Sequence, residues 1–110
     1  MTDEKNPPLT ESVYYILLSL ESPRHGYSIM QNIHEISNGR VNMGPGTLYG
    51  AIKTLLKKEW IKHVEMNANS RKKQYTLTEE GKNVVNAEII RLQELLNNGK
   101  YIMRGEKKDA

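Results

Sequence analysis

The chain has 110 residues, 37% of them hydrophobic, a net charge of +3 and no cysteine. That length allows one domain, or one domain with a projecting element, and so little apolar content points to a core completed by oligomerisation. Disulfides, thiolate metal sites and cysteine nucleophiles are excluded, a pattern that fits the cytoplasm, and the longest apolar run, Val13 to Leu18, falls far short of the roughly 18 residues of a membrane span.

The charge is unevenly placed. Residues 1–22 hold one base and four acids, residues 23–77 nine bases and three acids, and residues 78–110 six of each. A basic middle is the electrostatic footprint of a nucleic-acid binder, although a charge cluster by itself is more often a solvated face.

Residues 1–8 are acidic, contain Pro7-Pro8 and read as a loose tail, unlike a secretory signal. Thr10 is placed to cap a helix that runs to about Glu21 and is ended by Ser22-Pro23. Val13, Ile16, Leu17 and Leu20 form its main stripe, widened by Tyr14, Tyr15 and Leu18. A helix apolar on more than one face is buried on more than one side, so the second side is expected to meet a second subunit. The next helix spans about His25 to Ser37, with Ile29, Ile33 and Ile36 facing inward and Asn38-Gly39 as its stop.

Residues 42–58 are the most informative. A Gly44-Pro45-Gly46 turn leads into a helix from about Gly46 to Lys58. Leu48, Ile52, Leu55 and Leu56 lie at i, i+4, i+7 and i+8 and form one apolar stripe. At roughly 100° per residue the opposite face carries Gly46, Thr47, Gly50, Lys53, Thr54 and Lys57, with no acid and no bulky apolar group. Gly50 sits near its middle, where glycine costs about 1 kcal/mol relative to alanine. A small, smooth, basic helix face suits a DNA major groove, the bland alternative being a solvated surface. Tyr49 flanks that face and is suited either to a phosphate or base edge or to packing half-buried on the second helix. Lys53 and Lys57 suit phosphates. His25 and Tyr27 open the second helix, whose free N–H groups suit a phosphate as well.

Two short strands follow, Ile61 to Met66 and Arg71 to Leu77, joined by a turn at Asn67–Ser70. The return strand opens with Arg71-Lys72-Lys73, the pattern of a basic wing beside a helix-turn-helix. Trp60 is expected to close the hydrophobic seam beneath that wing. Thr78-Glu79-Glu80 starts a last helix running to about Asn97, with Asn97-Asn98-Gly99 as its stop. Val85, Ile89, Leu92 and Leu96 give it a stripe that reads as a dimer seam.

Catalytic chemistry finds no support. The three histidines, His25, His34 and His63, lack metal-ligand spacing. No nucleophile motif is present, and no glycine-rich phosphate loop follows a strand. Neither an enzyme nor a cofactor is expected.

Four blocks carry a family resemblance: Leu9-Thr10-Glu11-Ser12-Val13-Tyr14-Tyr15-Ile16-Leu17-Leu18, His25-Gly26-Tyr27-Ser28-Ile29-Met30, Gly44-Pro45-Gly46-Thr47-Leu48-Tyr49 and Tyr75-Thr76-Leu77-Thr78-Glu79-Glu80-Gly81. In this order, over about residues 9–96, the chain resembles the PadR family of transcriptional regulators. It resembles the short subfamily, which has a single C-terminal helix. The resemblance implies a winged helix-turn-helix, a homodimer built from the first and last helices, and repression by operator binding. Tyr27 matches the family tyrosine at the start of the second helix, Thr47 and Tyr49 match the start of the recognition helix, and Arg71, Lys72 and Lys73 match the basic wing. Short members that bind drugs in a dimer pore use a tryptophan on the last helix. The single tryptophan here is Trp60, so that pocket chemistry is not expected.

The expected fold is thus mainly α with a small β-hairpin. A winged helix-turn-helix spans 9–77 and a dimerisation helix 78–98, with tails at 1–8 and 99–110. The expected DNA contacts are His25, Tyr27, Gly46, Thr47, Tyr49, Gly50, Lys53, Lys57, Arg71, Lys72 and Lys73. The expected dimer contacts are Val13, Tyr14, Leu17, Val85, Ile89, Leu92 and Leu96. The partners are a pseudo-palindromic double-stranded operator and a second copy of the chain, with the dimer interface as the place for any small-molecule effector. The contending reading is a winged-helix module that binds protein and not DNA.

Overall fold

The structure, a computed structural model, describes residues 7–64 and 73–106. Its elements run α1 (Glu11–Ser19), β1 (Arg24–His25), α2 (Gly26–Ile36), α3 (Pro45–Lys57), β2 (Ile61–His63), β3 (Gln74–Leu77) and α4 (Glu79–Arg104).

Local chemistry sets the helix ends. The Thr10 hydroxyl accepts from the Val13 N–H and starts α1, and the Thr78 hydroxyl accepts from the Gly81 N–H and starts α4. Pro45 occupies the first turn of α3, where its missing N–H costs nothing. α2 and α3 both end in a Schellman arrangement. The Gly39 N–H reaches the His34 carbonyl at 2.7 Å, and the Trp60 N–H reaches the Leu55 carbonyl at 3.1 Å. The left-handed residue this requires is Asn38 after α2 (φ 55°) and Glu59 after α3 (φ 62°).

The stripes of α1, α2 and α3 meet in one core of Ile16, Leu17, Leu20, Ile29, Ile33, Leu48, Ile52 and Leu55. Full burial of such a side chain stabilises by about 1.5–3 kcal/mol. A polar tie crosses between α1 and α2: the buried Ser19 hydroxyl donates to the Tyr15 carbonyl and accepts from Asn32 Nδ2 at 2.9 Å. The sheet closes one side. Its order is β1-β3-β2, all antiparallel, with Ile61 opposite Leu77 and Arg24 opposite Tyr75. Trp60, Ile61, Tyr75 and Leu77 bring it onto the helical core, as expected for Trp60.

Four expectations are corrected. The sheet has a third strand, β1, which the sequence reading did not contain. The hairpin strands are Ile61–His63 and Gln74–Leu77. The Val64 N–H also reaches the Gln74 carbonyl at 2.9 Å, and the expected continuation through 65–72 lies outside the described residues. Ile36 is 43% exposed and does not face inward, because the chain turns away from the core there and Ser37 is buried instead. The last helix passes straight through Asn97-Asn98-Gly99 and stops at Gly105, whose φ of 66° is the left-handed conformation that ends helices.

Candidate nucleic-acid interface

α3 presents its two faces as its periodicity requires. Leu48, Ile52 and Leu55 are buried, and Ala51 and Leu56 are half-buried. Gly46, Thr47, Gly50, Lys53, Thr54 and Lys57 are all exposed. A Cβ added at Gly44, Gly46 or Gly50 would meet nothing within 4 Å. Among the described residues, nothing therefore requires glycine at the middle of that face. The Thr54 hydroxyl donates back to the Gly50 carbonyl at 3.3 Å, which draws it against the helix and lowers the profile further.

Tyr49 packs on the second helix and remains half exposed. It is 49% exposed, and its hydroxyl lies where a Cβ on Gly26 would be, 2.2 Å away. Gly26 is thus the space that lets the Tyr49 ring settle on the start of α2 beside the exposed face. The Tyr75 hydroxyl is raised above its ordinary value by burial first and by Tyr49 second.

The start of α2 lies next to this. His25 is the N-cap, its Nδ1 accepting from the Ser28 N–H at 3.3 Å. In the neutral ring the proton then sits on Nε2, which is left as a donor. Tyr27 is exposed in the first turn. Lys73 is exposed at the entry to β3, while Arg71 and Lys72 lie outside the described residues. Lys62 and His63, which the sequence did not mark as DNA contacts, are both exposed on β2, with the His63 ring 5.1 Å from that of Tyr75.

The candidate dimer residues divide. Leu17 is fully buried in the chain's own core and Val85 nearly so, so neither offers surface to a partner. This corrects their assignment: both belong to the chain's own buried core. Val13 and Tyr14 are half-buried, and Ile89, Leu92 and Leu96 are exposed. α4 packs on the core only as far as Glu88. Beyond it, Ile89, Leu92, Leu96, Gly99 and Met103 continue the 4,3 spacing of a heptad seam through one more repeat than the sequence reading gave.

A known family model matches this chain over residues 13–87, that of the transcriptional regulator PadR-like family. The structure of a transcriptional regulator from Clostridium thermocellum is 25% identical, covering 88% of this chain and 93% of that one, with a TM-score of 0.64. A PadR family transcription regulator from Clostridium difficile shares the fold at 24% identity and a TM-score of 0.70, covering 83% of this chain and 96% of that one. Bacillus subtilis PadR in complex with operator DNA is 25% identical, with a TM-score of 0.63, over 74% of this chain and 48% of that longer one. A comparison with curated protein sequences gives no match. The family model covers well over half of the chain, on the very helices and strands that build the exposed α3 face, and the chain belongs to the PadR-like family of transcriptional regulators.

Proposed function

We propose that the protein is a homodimeric, sequence-specific repressor that reads a pseudo-palindromic operator with α3 in the major groove. The observation that carries this reading is the acid-free face of α3, with Gly46 and Gly50 facing open space between Lys53, Thr47 and Lys57. A glycine in an exposed helix interior lowers stability by about 1 kcal/mol, and close approach to a groove floor is a reason to keep it. His25 Nε2, the Tyr27 hydroxyl and the lysines are suited to flanking phosphates, which fix register without reading sequence. The basic segment Arg71-Lys72-Lys73 is read as the wing that follows the backbone or enters a minor groove. The B. subtilis relative, held on its operator, supports the same use of the fold here.

The seam of Ile89, Leu92 and Leu96 is read as the contact that sets two α3 helices at two half-sites, with Val13 and Tyr14 beside it. Any effector would act there by changing the spacing of the pair. The protein works in the cytoplasm and without catalysis on this reading. Among the described residues, no helix is long and apolar enough to cross a membrane.

The test is selection of bound fragments from the source genome, followed by titration of the winning fragment against salt. A recovered palindromic site whose affinity falls steeply with salt supports the reading. No retention of any DNA at low salt overturns it in favour of the protein-binding module.

A further inference from the structure

The start of α3 is held from outside itself. Its N-cap, Gly44, has no side chain to bond the first N–H groups, and Pro45 follows at once. The segment 40–43 that delivers the helix is therefore a tie at this end, beside the packing of Leu48, Ile52 and Leu55 in the core. Val41 and Met43 of that segment pack against the core, and Arg40 and Asn42 alternate with them. Asn42 is tied to α2: its Oδ1 lies 2.6 Å from His34 Nδ1, and its Nδ2 donates to the Gly39 carbonyl. Arg40 is tied to α1. Its guanidinium grips both carboxylate oxygens of Glu11, 29 positions earlier.

We infer that Glu11 and Arg40 are positioning residues for the recognition helix, acting through the segment 40–43 and not through contact with DNA. The inference rests on the reading of α3 as the DNA-reading helix. Its logic is one of sign. Arg40 lies in the turn that precedes α3 and has the charge of a phosphate ligand. Glu11 has the charge that DNA repels. If Arg40 served DNA directly, Glu11 would compete for its fork, and loss of the carboxylate would free the arginine. If the pair is a tether, loss of either end releases the same segment, and operator binding weakens although a negative charge has been removed.

The pair is more than half exposed at both ends, so its influence is modest. An exposed pair of this kind corresponds to an effect of about twofold to fivefold. The experiment compares wild type, Glu11→Gln, Arg40→Gln and the double variant on the selected operator fragment and on an unrelated duplex of equal length. Glu11→Gln is expected to weaken operator binding by about twofold to fivefold while binding to the unrelated duplex is not weakened. The double variant is expected to bind no worse than Arg40→Gln alone. Circular dichroism confirms that each variant is folded. Tighter operator binding by Glu11→Gln, or no change, overturns the inference. Failure of wild type to bind DNA at all overturns the reading of α3 itself, a result distinct from either.

Discussion

The Leu9 N–H donates to the Glu88 carboxylate at 3.2 Å, joining positions 79 apart in the chain. Glu88 is only 5% exposed, and its oxygens also accept from Arg91 Nε and Nη2 at 2.8 and 2.7 Å. The residue sits where α4 leaves the core, so one buried carboxylate fixes both the segment entering α1 and the root of the projecting helix.

That arrangement sets a pH dependence. The Arg91 guanidinium, and to a smaller degree the Leu9 N–H, hold the Glu88 carboxyl below the usual carboxylate range against the opposing effect of burial. A depressed value in the folded state means that the stabilisation is complete above the carboxylate range of the unfolded chain. It is lost as pH falls through the folded value. The thermal stability of wild type is expected to fall from about pH 5 downward, and Glu88→Gln should flatten that decline. At neutral pH the same substitution is expected to cost about 1–2 kcal/mol, measured by denaturant titration, because the charge-assisted bonds are lost while one acceptor remains.

Glu59 is a stability reserve. It sits at φ 62°, where an L side chain is strained by about 1–2 kcal/mol. The Schellman closure needs only its backbone, and its carbonyl accepts from the Thr78 hydroxyl at 2.6 Å. Glu59→Gly is therefore expected to raise stability by about 1 kcal/mol in denaturant titration, with DNA binding unchanged.

The seam gives a test of assembly. Leu92 is 37% exposed and lies on the stripe with Ile89 and Leu96. Leu92→Glu is expected to give a folded monomer in sedimentation, because a seam cannot hold an unpaired carboxylate away from water. Leu17→Glu is expected instead to unfold the chain, since Leu17 lies in the monomer core. A Leu92→Glu variant that remains dimeric would refute the seam.

Periodicity made the helices and the core legible. The α3 stripe, the inward Ile29 and Ile33, and the buried Tyr75 and Leu77 follow from spacing alone. What was not legible depends on partners distant in sequence. β1 has two residues, too few for any alternation, and exists because β3 passes beside it. Glu88 stands among apolar positions of α4, and no local signal says that Leu9 will bond it. The misplaced stop of α4 has another cause. Gly99 costs a helix about 1 kcal/mol, which a 26-residue helix tolerates. At the interface, exposure of the α3 face was legible, whereas the seating of Tyr49 on Gly26 required the crossing of α2 and α3.

Two glycines separate stability from function. A Cβ on Gly81 would lie 2.0 Å from the Trp60 carbonyl oxygen, which is itself fixed by the Thr78 N–H at 3.0 Å. Gly81→Ala must therefore shift backbone and is expected to cost about 3 kcal/mol in denaturant titration. A Cβ on Gly50 would meet nothing within 4 Å, so Gly50→Ala is expected to stabilise by up to about 1 kcal/mol. If α3 enters a groove, the same methyl stands between helix and base edges, and operator affinity falls while stability rises. Gly50→Glu adds length and a negative charge at that point and is expected to abolish operator binding with fold and dimer retained, as followed by circular dichroism and sedimentation. A folded, dimeric Gly50→Glu variant that binds the operator as wild type does would remove α3 from the DNA interface and leave protein binding as the use of the face.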